Sequence, residues 1–141
     1  MYTLAKRYRF SAAHTLHSLV LSEGENQRVY GKCANPAGHG HDYIFEVIVS
    51  GPALVEDVVV GHGLVDDLVQ EHVAPRFKFQ NLNEVFGRGF ITTGENLTRA
   101  VWNLVNDHLP PGLTLTVRLV ETSKNAFVYR GEREQVTASG V

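Results

Sequence analysis

Two long runs of strict alternation constrain this chain more than any other feature. In Tyr2–His14, the even positions carry Tyr2, Leu4, Tyr8, Phe10, Ala12 and His14, with Lys6 as their one charged companion. In 39–50, His39, His41, Tyr43, Phe45, Val47 and Val49 share one parity. A period of two puts each set on one face of a β-strand. Asp42 and Glu46 fall on the opposite face with Ile44 and Ile48, so both faces of the second strand are expected to be partly covered. Residues 15–38, between the two runs, read as an irregular polar loop with Gly24, Gly31, Pro36 and Gly38. A loop of that length inside a small domain is often functional.

The pattern then changes to helical spacing. In "GLVDDLVQEHVAP" (63–75), Leu64, Val65, Leu68, Val69 and Val73 recur near a period of 3.6, and Pro75 marks the expected end. In "TTGENLTRAVWNLVNDHLPP" (92–111), Leu97, Val101, Leu104 and Leu109 form an apolar stripe. Thr92 and Glu95 have capping-box spacing at its start, and Pro110-Pro111 stops it. "LTLTVRLVE" (113–121) alternates again, and after a turn at 123–125 the chain returns through Ala126–Tyr129. The order β, β, α, α, β, β predicts a single α+β domain over 1–141: a four-stranded antiparallel sheet with two helices on one face.

Composition narrows the function classes. The net charge of −2 gives no reason to expect nucleic acid as a partner. No apolar run is long enough to span a bilayer, and the first residues lack the apolar core of a signal peptide, so no membrane partner is expected. The single cysteine, Cys33, cannot form an intrachain disulfide, which makes a reducing cytoplasm the expected location. The last residues, 132–141, read as a frayed tail.

Three groups of residues carry possible chemistry. His39 and His41 are two apart on a strand and so share a face, with Gly40 between them allowing close approach. His14 ends the matching face of the first strand. If the strands are neighbours, three imidazoles converge and leave one position open, the pattern of a catalytic zinc site. The plainer alternative is two loop histidines and a satisfied core histidine. Cys33 precedes this pair in a Gly/Pro-rich stretch; a thiol near a dication has a lowered pKa and acts as a base or nucleophile. Its alternative is a small buried hydrophobe. Glu121 continues the apolar parity of Leu113, Leu115, Val117 and Leu119. A carboxylate there either ends the strand at solvent or waits for a ligand with paired N–H donors. Glu95 reads most simply as a helix cap, and Asp66 and Asp67 as first-turn acids.

Five segments in order, "FSAAH" (10–14), "YGKCANPAGHGHDY" (30–43), "GLVDDL" (63–68), "TTGENLTRAVW" (92–102) and "ETSKNAFVYRGE" (121–132), resemble the 6-pyruvoyl-tetrahydropterin synthase family, which includes the 6-carboxy-tetrahydropterin synthases. The resemblance implies the tunnelling fold, in which trimers join their sheets into a barrel and two trimers stack as a homohexamer. It implies Zn2+ on His14, His39 and His41, Cys33 as the proton-abstracting base, and Glu121 as the anchor of the pterin 2-amino group and N3–H. Thr92 and Glu95 match the family's helix start, where substrate contacts are implied. The substrate implied is 7,8-dihydroneopterin triphosphate, a small reduced pterin, converted by a lyase to a 6-pyruvoyl or 6-carboxy product. The chain departs from the family at 77–83, "FKFQNLN", where the family usually reads "LDHxxLN". Lys78 and Phe79 replace an Asp-His pair that handles protons. General acid–base partners contribute roughly 10²–10⁴-fold in rate. The alternative function is therefore a pterin-binding paralogue of weak or altered activity.

Overall fold

The computed structural model describes residues 1–34 and 39–131, with Lys32, Cys33 and His39 described by their backbone alone. The loop positions 35–38 and the tail 132–141 lie outside the described residues. Strand β1 spans Tyr2–His14 and β2 spans His39–Gly51. They pair antiparallel along their whole length, from Tyr2 opposite Gly51 to His14 opposite His39. Strand β4 (Thr114–Val120) joins β2, and β5 (Ala126–Tyr129) joins β4, both antiparallel. A fifth strand, β3 (Gln80–Asn81), runs parallel to β1, so the sheet is mixed, in the order β3-β1-β2-β4-β5. The expected four antiparallel strands are all present. The two-residue β3 carries no alternation and could not be read from its sequence.

The helical content also exceeds the expected pair. The expected polar loop holds α1 (Glu23–Tyr30), started by a reciprocal capping box between Ser22 and Glu25, each bond 3.2 Å long. The first expected helix is continuous from α2 (His62–Leu68) through one wide π turn (Val69–Val73) into α3 (Ala74–Phe77). Pro75 therefore does not end it. In a regular helix the proline ring would clash with the carbonyl four residues back, and the wide turn just before it relieves that clash. A short α4 (Leu82–Phe86) follows, and α5 (Gly94–Asn106) is the long amphipathic helix. Among the described residues, no helix is long and apolar enough to cross a membrane.

One face of the sheet carries the core. Phe10, Tyr43, Phe45, Val47, Val49, Leu115, Val117 and Leu119 meet Val65, Leu68, Val69 and Val73 of the first helical stretch and Leu97, Val101 and Val105 of α5. Each fully buried aliphatic or aromatic side chain stabilises the fold by roughly 1.5–3 kcal/mol. Trp102 ties α5 to the sheet by donating its indole N–H to the Leu115 carbonyl at 2.9 Å. Lys6, the charged residue on this face, reaches the rim. Its Nζ pairs with Asp66 Oδ1 at 2.7 Å and donates to the His62 carbonyl at 3.3 Å, which fastens the start of α2 to β1. Tyr8 donates its hydroxyl to the same Asp66 oxygen at 2.7 Å.

A candidate metal centre at the sheet end

The pairing of β1 with β2 places the ends of both alternating runs together. His14 closes β1, His41 lies opposite Ala12, and the backbone of His39 lies opposite His14. The side chains of His39 and Cys33 lie outside the described residues, so their expected roles are not seen in the structure. Glu121 follows directly after β4, next to the register pair Ile44–Val120. One ligand atom each from His14, His41 and Glu121 falls within 4.8 Å of the others. His41 Nε2 and a Glu121 carboxylate oxygen are 3.9 Å apart, and the two side chains are only 11% and 8% exposed.

His14 is held from behind. Its Nδ1 lies 2.9 Å from the Thr92 carbonyl oxygen and 3.1 Å from the Thr92 hydroxyl. A carbonyl oxygen can only accept, so Nδ1 carries the hydrogen and Nε2 presents its lone pair toward the cluster. An outer hydrogen bond of this kind fixes the tautomer of a metal-ligating histidine. The Tyr43 hydroxyl, 3.3 Å from Nε2, donates to that lone pair. Asn83 steadies the chain just after His14, accepting from Thr15 N–H and donating to the Thr15 carbonyl, each at 2.8 Å.

Thr92 is thus not the helix cap. That position belongs to Thr93, whose hydroxyl accepts from Asn96 N–H at 3.2 Å. Thr92 is fully buried and stands behind His14. A cavity of about 260 Å³ opens beside the cluster, and Leu16, Tyr30, Gly94, Glu95, Glu121 and Phe127 are among its lining residues. Burial raises the Glu121 carboxyl above the usual carboxylate range, and the Glu95 carboxylate adds to the rise. Lys78 and Phe79 lie at the sheet's β3 edge, where Phe79 and His41 are both among the residues lining a cavity of about 530 Å³. Lys78 and Phe79 are exposed, and Phe79 has a left-handed backbone with φ 55°, its N–H donating to the Ser11 carbonyl at 2.7 Å.

Sequence reasoning brought His14, His41 and Glu121 forward, and the structure gathers these three. It missed Tyr43, whose parity was noted but not its hydroxyl, and Asn83, which looks like ordinary loop polarity. The donor set of two imidazole nitrogens and one carboxylate oxygen suits a zinc-type ion. Two atoms bound to one such ion at about 2.1 Å lie at most about 4.2 Å apart, so the cluster needs only a small contraction to close on a metal.

Comparison with known proteins gives a consistent result. The family model for 6-pyruvoyl tetrahydropterin synthase matches residues 3–132. The 6-pyruvoyl tetrahydrobiopterin synthase of Poecilia reticulata is 40% identical over 126 residues, covering 87% of this chain and 86% of the relative. The Homo sapiens protein of that name is 33% identical over 137 residues, covering 92% of this chain and 91% of its own. The solved structure of Caenorhabditis elegans 6-pyruvoyl tetrahydropterin synthase superposes with a TM-score of 0.85 at 30% identity, over 93% of this chain and 96% of that one.

Proposed function

Because this chain belongs to the 6-pyruvoyl tetrahydropterin synthase family, a family of lyases, we propose that it eliminates triphosphate from 7,8-dihydroneopterin triphosphate and leaves 6-pyruvoyl-tetrahydropterin. The observation that carries the site assignment is the convergence of His14, His41 and Glu121 within 4.8 Å, with Glu121 also lining a cavity. His14 and His41, with His39 beside them on β2, hold a zinc ion. When bound, zinc supplies Lewis acidity that lowers the pKa of the substrate's side-chain hydroxyls.

The remaining steps fall to the chain's own residues. Thr92 keeps the His14 ring oriented. Cys33, in the 3-10 turn that precedes β2, removes protons from the pterin side chain as triphosphate leaves. Glu121 grips the 2-amino and N3–H edge of the ring through two charge-assisted hydrogen bonds. Glu121 stands beside His41 and already lines the cavity, so its carboxylate faces the space that the ring would enter. Glu95 lines that cavity and offers a second acceptor to the ring.

The enzyme works in the cytoplasm as a homohexamer of two stacked trimers. The outer strands β3 and β5 leave the sheet of a single chain with two edges, which supports pairing between subunits. Identity to synthases over most of the chain favours turnover over the binding-only reading. The test is incubation of zinc-loaded protein with 7,8-dihydroneopterin triphosphate, following triphosphate release and the mass of the pterin. Release with 6-pyruvoyl-tetrahydropterin is the expected outcome. Pterin binding without release would establish the binding-only protein, and a 6-carboxy product would move the chain to the other branch.

A further inference from the structure

We propose that Phe127 is the specificity-determining wall of the cavity beside Glu121, the residue that makes the site prefer a two-ring heterocycle to a single ring with the same hydrogen-bonding edge. This role rests on the pterin reading and adds a second contact to it. Glu121 holds one edge of the ligand, the pair of N–H donors. A carboxylate grips that edge equally well on a lone pyrimidine ring and on a fused pair, so the edge alone does not choose between them. The choice needs an apolar surface beyond the first ring, and Phe127 lies where one is required.

Register sets that position. Phe127 pairs with Leu119, so the two side chains project from the same face of the sheet. Leu119 is fully buried on the core face. Glu121 lies two residues beyond Leu119. Its N–H donates to the Asn125 carbonyl at 3.2 Å, which carries the antiparallel pairing just past the end of β4. Glu121 and Phe127 are therefore diagonal neighbours on one face, a spacing of roughly 7–8 Å in such pairs. A ring gripped at its edge by Glu121 extends across that spacing, and its fused second ring meets Phe127. Both residues line the same cavity. Gly94, buried at the start of α5, holds the Phe127 ring in place. A Cβ on Gly94 would collide with Cε2 and Cδ2 of the ring, so the ring lies directly on the helix backbone. Gly94 is not in the left-handed region, so close approach, not conformation, calls for glycine there. The rest of the apolar lining comes from Leu16, Val29 and Tyr30. At about 260 Å³ the cavity falls just below the roughly 300–1,000 Å³ of sites for drug-sized ligands, a size that suits a bare bicycle.

Two ligands without hydroxyl side chain or phosphate test the wall on the full chain: pterin itself, and isocytosine, which carries the same 2-amino and N3–H edge on a single ring. Ligand-observed NMR titration gives both dissociation constants. In the unaltered chain pterin binds more tightly than isocytosine by about tenfold or more, the scale of one aromatic stacking contact on a base. Phe127→Leu narrows that ratio several-fold and Phe127→Ala removes most of it, through weaker pterin binding, while isocytosine holds its affinity. Leucine forfeits the contact without blocking the cavity, and it keeps an apolar side chain on β5 if the alanine variant folds poorly. Glu121→Gln weakens both ligands alike. A ratio left unchanged by both Phe127 substitutions, or equal weakening of the two ligands in them, would overturn the wall and leave the pterin reading standing. Failure of pterin to bind the unaltered chain would overturn that reading and the wall with it.

Discussion

The Thr92 carbonyl accepts the Nδ1 hydrogen of His14 at 2.9 Å, and the Thr92 hydroxyl stands 3.1 Å from the same nitrogen. This relationship joins the start of α5 to the end of β1 and decides which nitrogen of His14 faces the cluster. Thr92→Val preserves the shape and the carbonyl but removes the hydroxyl. Outer partners of a ligating histidine contribute roughly 10–100-fold in metal affinity. Because the carbonyl bond survives, the expected loss is at the low end, about tenfold. Competition with a chromogenic chelator measures it without relying on turnover. An unchanged zinc affinity would show that the carbonyl alone holds the ring.

The outline of this site was legible because alternation fixes parity. His14 and His41 could be placed on core-facing positions from sequence alone. Register could not, since a slip of one residue would turn every side chain to the other face. It takes the full pairing of β1 with β2 to bring His14 opposite His39. Thr92 was misread because two adjacent threonines precede α5 and either can start a capping motif; burial behind His14 assigns Thr92 elsewhere and leaves the cap to Thr93. Helix α1 escaped notice because its sequence, "EGENQRVY", has almost no apolar stripe; its signal was the Ser22–Glu25 pair. Lys6 looked like a defect in the first strand until Asp66 supplied its partner.

That partnership sets a pH dependence. The Lys6 ammonium and the Tyr8 hydroxyl, both hydrogen-bonded to Asp66, hold its carboxyl below the usual carboxylate range. A depressed folded pKa contributes stability above the unfolded value, and this is lost as pH falls through the folded value. The acid limb should therefore steepen below about pH 4 and flatten in Asp66→Asn. Burial and the bond to Asp66 raise the Tyr8 hydroxyl above its ordinary value of 10.0. A raised folded pKa contributes stability that is present below the unfolded value and lost as pH rises past it. The alkaline limb should fall above about pH 10 and flatten in Tyr8→Phe. Urea midpoints across both limbs check the two signs separately; limbs that match in parent and variant would remove the triad from the account.

Gly94 opens α5 against the ring of Phe127. A Cβ built there would collide with Cε2 and Cδ2 of Phe127, so the ring would have to move. Overpacking of this kind typically costs about 1–3 kcal/mol. Both residues line the cavity beside Glu121, so the displaced ring would also intrude on the substrate volume. Gly94→Ala should lower the denaturation midpoint and raise KM more than it lowers kcat. Adding Phe127→Leu to Gly94→Ala should recover part of both losses. A Gly94→Ala variant with parental stability and KM would show that the ring yields at no cost.

Phe79 occupies a backbone conformation that suits other residues better. At φ 55° it sits in the left-handed region, where histidine is commoner than phenylalanine, and its side chain is 79% exposed. Phe79→His with Lys78→Asp therefore asks the backbone for nothing new, and the double variant should fold with at least the parental stability. Its effect on rate separates the two functional readings. A synthase with its own proton route should change by less than about tenfold, because the missing pair is not limiting. A binding protein that lost its proton-handling residues should gain by roughly 10²–10⁴-fold, the scale of a restored general acid–base partner. The synthase assignment predicts the small change, read as kcat for triphosphate release at saturating pterin. A gain of the larger size would mean that this chain binds the pterin in a site whose chemistry was switched off at Lys78 and Phe79.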